Sequence, residues 1–130
     1  MNIKVGGIIT YKNKILVIKR NVKDGGFWQT MTGTVENNET LEETLKREIY
    51  EETGLTGNSN YPSILYSFIW HRDNEEYLEI VFQFQSNSGN VKLSHEHTNY
   101  AWLSQNDAIN RVKTENNKKA IGQINLSKNF

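Results

Sequence analysis

Apolar residues recur along this chain with two different periods. Residues 3–10 and 14–20 are rich in β-branched residues, and the polar pair Lys12-Asn13 separates them, which predicts a β-hairpin. Residues 22–26, VKDGG, read as a loop leading into a short strand within FWQTMTG. SILYSFIWH, residues 63–71, predicts another strand, closed by the polar turn RDNEE. In EYLEIVFQFQ, residues 76–85, Leu78, Ile80, Phe82 and Phe84 alternate with Tyr77, Glu79 and Gln83, with Val81 as the exception. A period of two predicts a half-buried antiparallel strand. SNSGN (86–90) reads as a turn, and YAWL (100–103) as a last short strand.

The second period is helical. Leu41, Leu45 and Ile49 repeat every fourth residue and form one apolar stripe over residues 40–53. Thr40 and Glu43 have the spacing of a capping box, and Gly54 stands where a left-handed C-terminal cap is wanted. Ser104 caps a predicted helix through about residue 113, and residues 116–125 predict another. Strands and helices mixed at irregular intervals give an α+β class with a mixed sheet rather than regular βαβ winding. No repeat, low-complexity run or linker divides the sequence, so residues 1–130 are read as a single domain.

Composition narrows the chemistry. The chain has no cysteine, so disulfides and thiolate metal sites are excluded, and a metal must be held by oxygen or histidine. Fifteen basic and 15 acidic residues cancel, which speaks against a nucleic-acid polymer as partner. No run has the length and apolarity of a membrane span, and the first residues lack a signal-peptide core, so a cytoplasmic protein is expected. The charge is nevertheless uneven. Lys4, Lys12, Lys14, Lys19, Arg20 and Lys23 precede an acidic block of Glu36, Glu39, Glu42, Glu43, Glu48, Glu51 and Glu52. Glu42 and Glu43 suit the first turn of a helix. At about 100° per residue, Glu48 and Glu52 fall beside the apolar stripe, with Glu51 on its flank. Three carboxylates there repel one another and lose hydration. Pairing with Arg47 relieves that cost, as does a divalent cation, which takes hard oxygen ligands. The helical pattern by itself is equally that of a solvated acidic surface helix.

The spacing adds more. Gly33, five residues, Glu39, seven residues, then Arg47-Glu48-Ile49-Tyr50-Glu51-Glu52-Thr53-Gly54-Leu55 resembles the Nudix box at every defined position. The resemblance implies a Nudix-type α/β/α sandwich with a mixed central sheet and a loop-helix-loop catalytic motif. It also implies Mg²⁺-dependent hydrolysis (Mn²⁺ can substitute) of a pyrophosphate bond in a nucleoside diphosphate joined to another group. By the same resemblance Glu48, Glu51 and Glu52 are metal ligands, joined by the Thr32 carbonyl. Arg47 orients the glutamates through Glu39, Gly33 permits close backbone approach, and Gly54 closes the helix. Glu96, in SHEHTNY, is the candidate ligand or general base from a later loop, with Glu48 the alternative base. Arg20, ending a strand that faces the pocket in this family, is the candidate phosphate contact. Trp28 is the candidate for ring stacking, whereas Trp70 and Trp102 are expected in the core. His71 is expected to be structural, and His95 and His97 to be surface or loop residues. Homodimers are common in the family.

FWQ followed by TGTVE, together with EHTNYAWL and the Asn-x-x-Ala-Ile pattern ending at Ile121, is similar to bacterial dihydroneopterin triphosphate pyrophosphatases, which also act on dATP. The short 71–76 loop departs from that group. The expected substrate is therefore a pterin or deoxynucleoside triphosphate, cleaved to monophosphate and pyrophosphate. The alternatives are 8-oxo-dGTP, ADP-ribose, or a catalytically silent nucleotide-binding module of the same fold.

Overall fold

Two left-handed residues start the fold. Lys12 and Asn13, at φ 47° and 64°, turn β1 (Asn2–Tyr11) back into β2 (Lys14–Arg20). The structure, a computed structural model, describes residues 1–126. β1 and β2 pair at Thr10↔Ile15 and Tyr11↔Lys14 and then recruit different neighbours. After a 3₁₀ turn (Val22–Asp24), the expected FWQTMTG strand is split into β3 (Trp28–Gln29), on β2, and β4 (Met31–Thr34), on β1. Helix α1 (Leu41–Thr53) follows, then β5 (Gly57–Ser59), β6 (Tyr66–Arg72), β7 (Glu75–Ser86), β8 (His97–Leu103), α2 (Gln105–Arg111) and α3 (Glu115–Gly122). β8 lies antiparallel on β2, and β5 and β6 lie antiparallel on β7. The eight strands form one sheet, mixed because β1 runs parallel to β7 from Asn2↔Tyr77 to Thr10↔Gln85.

Two helical layers cover this sheet. On one face Leu45 and Ile49 of α1 pack on Val5, Ile9, Met31, Phe82 and Phe84. On the other, Ala108, Val112, Ala120 and Ile121 of the α2–α3 region pack on Ile8, Ile15, Val17 and Val81. Burial of Leu45 or Ile49 contributes about 1.5–3 kcal/mol each. The result is the expected α/β/α sandwich. Among the described residues no helix is long and apolar enough to cross a membrane.

Three elements differ from the sequence reading. β7 is not half-buried: Glu79 and Val81 on its second face are as buried as Phe82 and Phe84 on the first. It occupies the middle of the sheet, where both faces are covered, and one of its neighbours is parallel. The strand expected from residue 63 begins at Tyr66, after the cis Tyr61–Pro62 bond. β5 has no apolar alternation to announce it, since the backbone of Gly57–Ser59 is held by the edge of β7.

Candidate active site

The acidic helix is fixed at both ends. Thr40 accepts from the Glu43 amide while the Glu43 carboxylate accepts from the Thr40 amide, and Gly54 ends α1 at φ 72°. Near its middle, Arg47 gathers the carboxylates. Its Nε donates to Glu39 Oε2 at 2.6 Å, its Nη2 to Glu39 Oε1 at 3.0 Å and to the Thr34 carbonyl at 3.1 Å. Its Nη1 donates to Glu48 at 2.9 Å and to Glu51 at 3.3 Å. The forked bond to Arg47, with help from the Glu36 amide and Thr44, brings Glu39 down to about 2, so it stays ionised. Arg47 is raised in turn, chiefly by Glu39.

Glu48 sits against the box glycine. A Cβ on Gly33 would lie 2.1 Å from Glu48 Cγ, so β4 and α1 approach this closely because Gly33 has no side chain. Burial raises the Glu48 carboxyl, opposed by Arg47 and assisted by the charges of Glu51 and Glu52. Glu51 is more open, with its side chain 54% exposed.

A later loop meets the last turn of α1. The Lys92 amide donates to the Thr53 carbonyl at 2.8 Å, and the Ser94 amide to the Glu52 carbonyl at 3.1 Å. The Ser94 hydroxyl donates to Glu52 Oε2 at 2.9 Å. This loop delivers Glu96 and His97 to Glu52, and ligand atoms of the three lie within 4.8 Å of one another. His97 is not a surface histidine: its side chain is 6% exposed, with Nδ1 3.0 Å from Glu52 Oε2 and Nε2 3.1 Å from Gln29 Nε2. The β2–β8 bulge, where Arg20 pairs with His97, turns it inward. The imidazole first, then Ser94, holds the Glu52 carboxyl below its ordinary value against the effect of burial. His95 is exposed, as expected, whereas His71, expected to be structural, lies at the surface beside Glu76 with its side chain 66% exposed.

Two cavities adjoin here. The smaller, about 90 Å³, is lined by Arg20, Gln29, Thr32, Glu52, Glu96 and His97, among others. The Arg20 Nε is buried there without a hydrogen-bond partner, and its guanidinium lies 5.7 Å from the Phe27 ring. The larger, about 350 Å³, shares Gln29 and Thr32 and has walls of Phe27, Phe68 and Trp70. Trp70, expected in the core, stacks instead on Tyr77 at 4.2 Å and faces this cavity. Trp28 packs against the second core beneath Arg111, 5.0 Å from its ring, and Phe27 takes the wall position. Trp102 is half-buried, its indole donating to the Gly89 carbonyl at 3.0 Å.

The structure thus brings Glu52, Glu96, Arg20 and Thr32 to one cavity, while Glu48 and Glu51 are gathered by Arg47 on the same helix. Carboxylate oxygens with one imidazole nitrogen are donor types that a divalent cation accepts, and their mutual repulsion favours one. Sequence reasoning missed the place of His97 beside Glu52 and the burial of Glu79. No local pattern announces His97, which reaches Glu52 through the bulge. Glu79 did leave a sign: Val81, the apolar exception in the alternation, shares its face.

His97→Ala is expected to weaken the apparent affinity for a divalent cation by about 10–100-fold, the size of effect seen when a group that orients a ligating side chain is lost. The check is the Mg²⁺ dependence of turnover; an unchanged dependence would show that Ser94 suffices to hold Glu52.

Comparison with known proteins agrees with this geometry. The NUDIX domain family matches residues 2–123. A dihydroneopterin triphosphate diphosphatase of Haemophilus influenzae is 29% identical over 128 residues, covering 84% of this chain and 77% of that protein. A MutT protein from Methanosarcina mazei superposes with a TM-score of 0.81 at 25% identity, over 94% of this chain and 91% of its own. The E. coli dihydroneopterin triphosphate pyrophosphohydrolase gives 0.76 at 23% identity, over 97% and 96%. A box helix with every motif residue in place, on a sandwich shared with these proteins, makes this chain a Nudix hydrolase, a member of the NUDIX domain family.

Proposed function

We propose that this hydrolase cleaves a pterin or purine triphosphate, dihydroneopterin triphosphate or a deoxynucleoside triphosphate such as dATP, to the monophosphate and pyrophosphate. The observation that carries the reading is the pair of adjoining cavities, one lined by carboxylates and Arg20, the other by aromatic rings. A phosphate chain suits the first and a flat ring the second. Similarity to the Haemophilus protein supports the pterin choice.

In this reading Glu48, Glu51, Glu52, Glu96 and the Thr32 carbonyl hold Mg²⁺, for which Mn²⁺ can substitute. When bound, the cation supplies charge neutralisation for phosphate oxygens and activation of water. Arg20 turns its unpartnered Nε to a phosphate oxygen. Arg47 holds Glu48 and Glu51 in place and does not touch the substrate. Glu96 takes the proton of the attacking water, since among the described residues no basic side chain forms an ion pair with it, whereas Arg47 engages Glu48. Glu48 is the second candidate base, because its raised pKa suits a proton acceptor.

The test is product formation from dihydroneopterin triphosphate, dATP, 8-oxo-dGTP and ADP-ribose in parallel with Mg²⁺. Pyrophosphate release, fastest from the pterin, is the expected result. Cleavage of ADP-ribose with no triphosphate turned over would overturn the triphosphate reading. Turnover of none, with nucleotide still bound, would make the chain a silent binding module.

A further inference from the structure

The larger cavity holds a charged group that neither the fold nor the hydrolytic chemistry accounts for. Glu79 of β7 is 6% exposed on the sheet face covered by α2 and α3. Phe68 is its cross-strand partner on β6, and Phe27 and Trp70 add apolar wall. Thr32 donates to Glu79 Oε2 at 2.8 Å, reaching across β1 where Gly6 carries no side chain. Among the described residues no basic side chain forms an ion pair with it. Lys4, its neighbour on β1, is bonded to Thr34 at 2.9 Å. A carboxyl with about four acceptor positions is thus met by the Thr32 hydroxyl and the nearby Trp70 indole N–H, which leaves acceptor positions open in a place where burial is costly.

The amides on the opposite wall are oriented in the complementary sense. Asn116 Oδ1 accepts from the Tyr66 hydroxyl at 3.2 Å, and Asn117 Oδ1 from the Thr30 amide at 3.2 Å. Each therefore keeps its NH₂ as a donor at the cavity it lines. The cavity offers acceptors from Glu79 and donors from two asparagines, between aromatic walls.

We propose that Glu79 selects the ring of the substrate, its carboxylate accepting the adjacent N–H and NH₂ of a 2-amino-4-oxopyrimidine edge, with the asparagine amides donating to the ring carbonyl. Guanine and pterins share that edge. Adenine sets an amino group beside a ring nitrogen whose lone pair faces the carboxylate, and it has no carbonyl, so it is refused. Hypoxanthine lacks the 2-amino group and gives Glu79 one donor instead of two. This rests on the triphosphate reading above and narrows it to pterin or guanine.

The test is calorimetric binding of GMP, IMP and AMP, in Mg²⁺, to the intact protein and to Glu79→Gln. The wild type is expected to bind GMP about 10–100-fold tighter than AMP, with IMP between, as loss of buried hydrogen bonds dictates. Glutamine keeps an acceptor for Thr32 but presents NH₂ to the ring, so the variant is expected to lose the GMP preference. The wild-type order stands by itself if the variant does not fold. GMP bound no tighter than AMP, including neither binding, overturns the proposal, as does an order unchanged in Glu79→Gln. Hydrolysis of dGTP and dATP measured alongside keeps the two readings apart. Silence on every triphosphate overturns the triphosphate reading, while the monophosphate order decides the role of Glu79.

Discussion

Glu52→Gln is expected to lower kcat by about 10³-fold while leaving the fold intact. Glutamine has the same shape and still accepts from the Ser94 hydroxyl, so the stitch between α1 and the later loop survives. What disappears is a negative charge at a side chain 12% exposed, next to Glu96 and facing Arg20. The stability effect has a definite sign. His97 and Ser94 hold the Glu52 carboxyl below its ordinary value, so its charge stabilises the fold at neutral pH despite the repulsion it exerts on Glu48. Thermal unfolding should therefore occur slightly below the wild-type temperature. Kinetics at saturating Mg²⁺ and a melting curve check both halves. A loss below tenfold would remove Glu52 from the reacting site.

Gly33→Ala should damage both stability and turnover. The new Cβ would stand 2.1 Å from Glu48 Cγ, 2.6 Å from Cδ and 2.9 Å from Cβ. Rotating the Glu48 side chain relieves the first two contacts but not the third, because that atom is fixed to the α1 backbone. Either α1 or β4 must then move, and β4 is held on β1 at Val5↔Gly33. Overpacking of this kind costs about 1–3 kcal/mol. A displacement near 1 Å at Glu48 should also reduce kcat/KM by about 10²-fold. Denaturant unfolding and steady-state kinetics read the two effects. Adding Glu48→Ala to Gly33→Ala should recover part of the stability, since two of the three contacts vanish, but none of the activity. Wild-type behaviour of Gly33→Ala on both measures would mean that β4 and α1 are not packed as described.

The acidic helix was legible in the sequence because its determinants are local. A capping box needs residues three apart, an apolar stripe needs residues four apart, and Arg47 reaches Glu39 within the same motif. The hairpin at Lys12-Asn13 was legible for the same reason. β7 was legible as a strand but not in its surroundings, since alternation reports which face is more apolar and not what covers the other. The alternation alone accordingly sets Glu79 on the polar face of a half-exposed strand. His97 depends on a bulge between β2 and β8, and Trp28 and Trp70 exchange their expected environments through packing that no window of sequence contains.

The two adjoining cavities draw on largely separate parts of the chain. The one lined by carboxylates depends on α1 and the loop before β8, whereas the aromatic one depends on β6, β7 and the start of α3. Gln29 and Thr32 are the hinge of this division, lining both. The scaffold is therefore modular in its evolvability. Drift in the β6, β7 and α3 segments can exchange one heterocycle for another without retuning the bond-breaking apparatus, and a new substrate can be acquired by rewriting a handful of side chains on one side of that boundary.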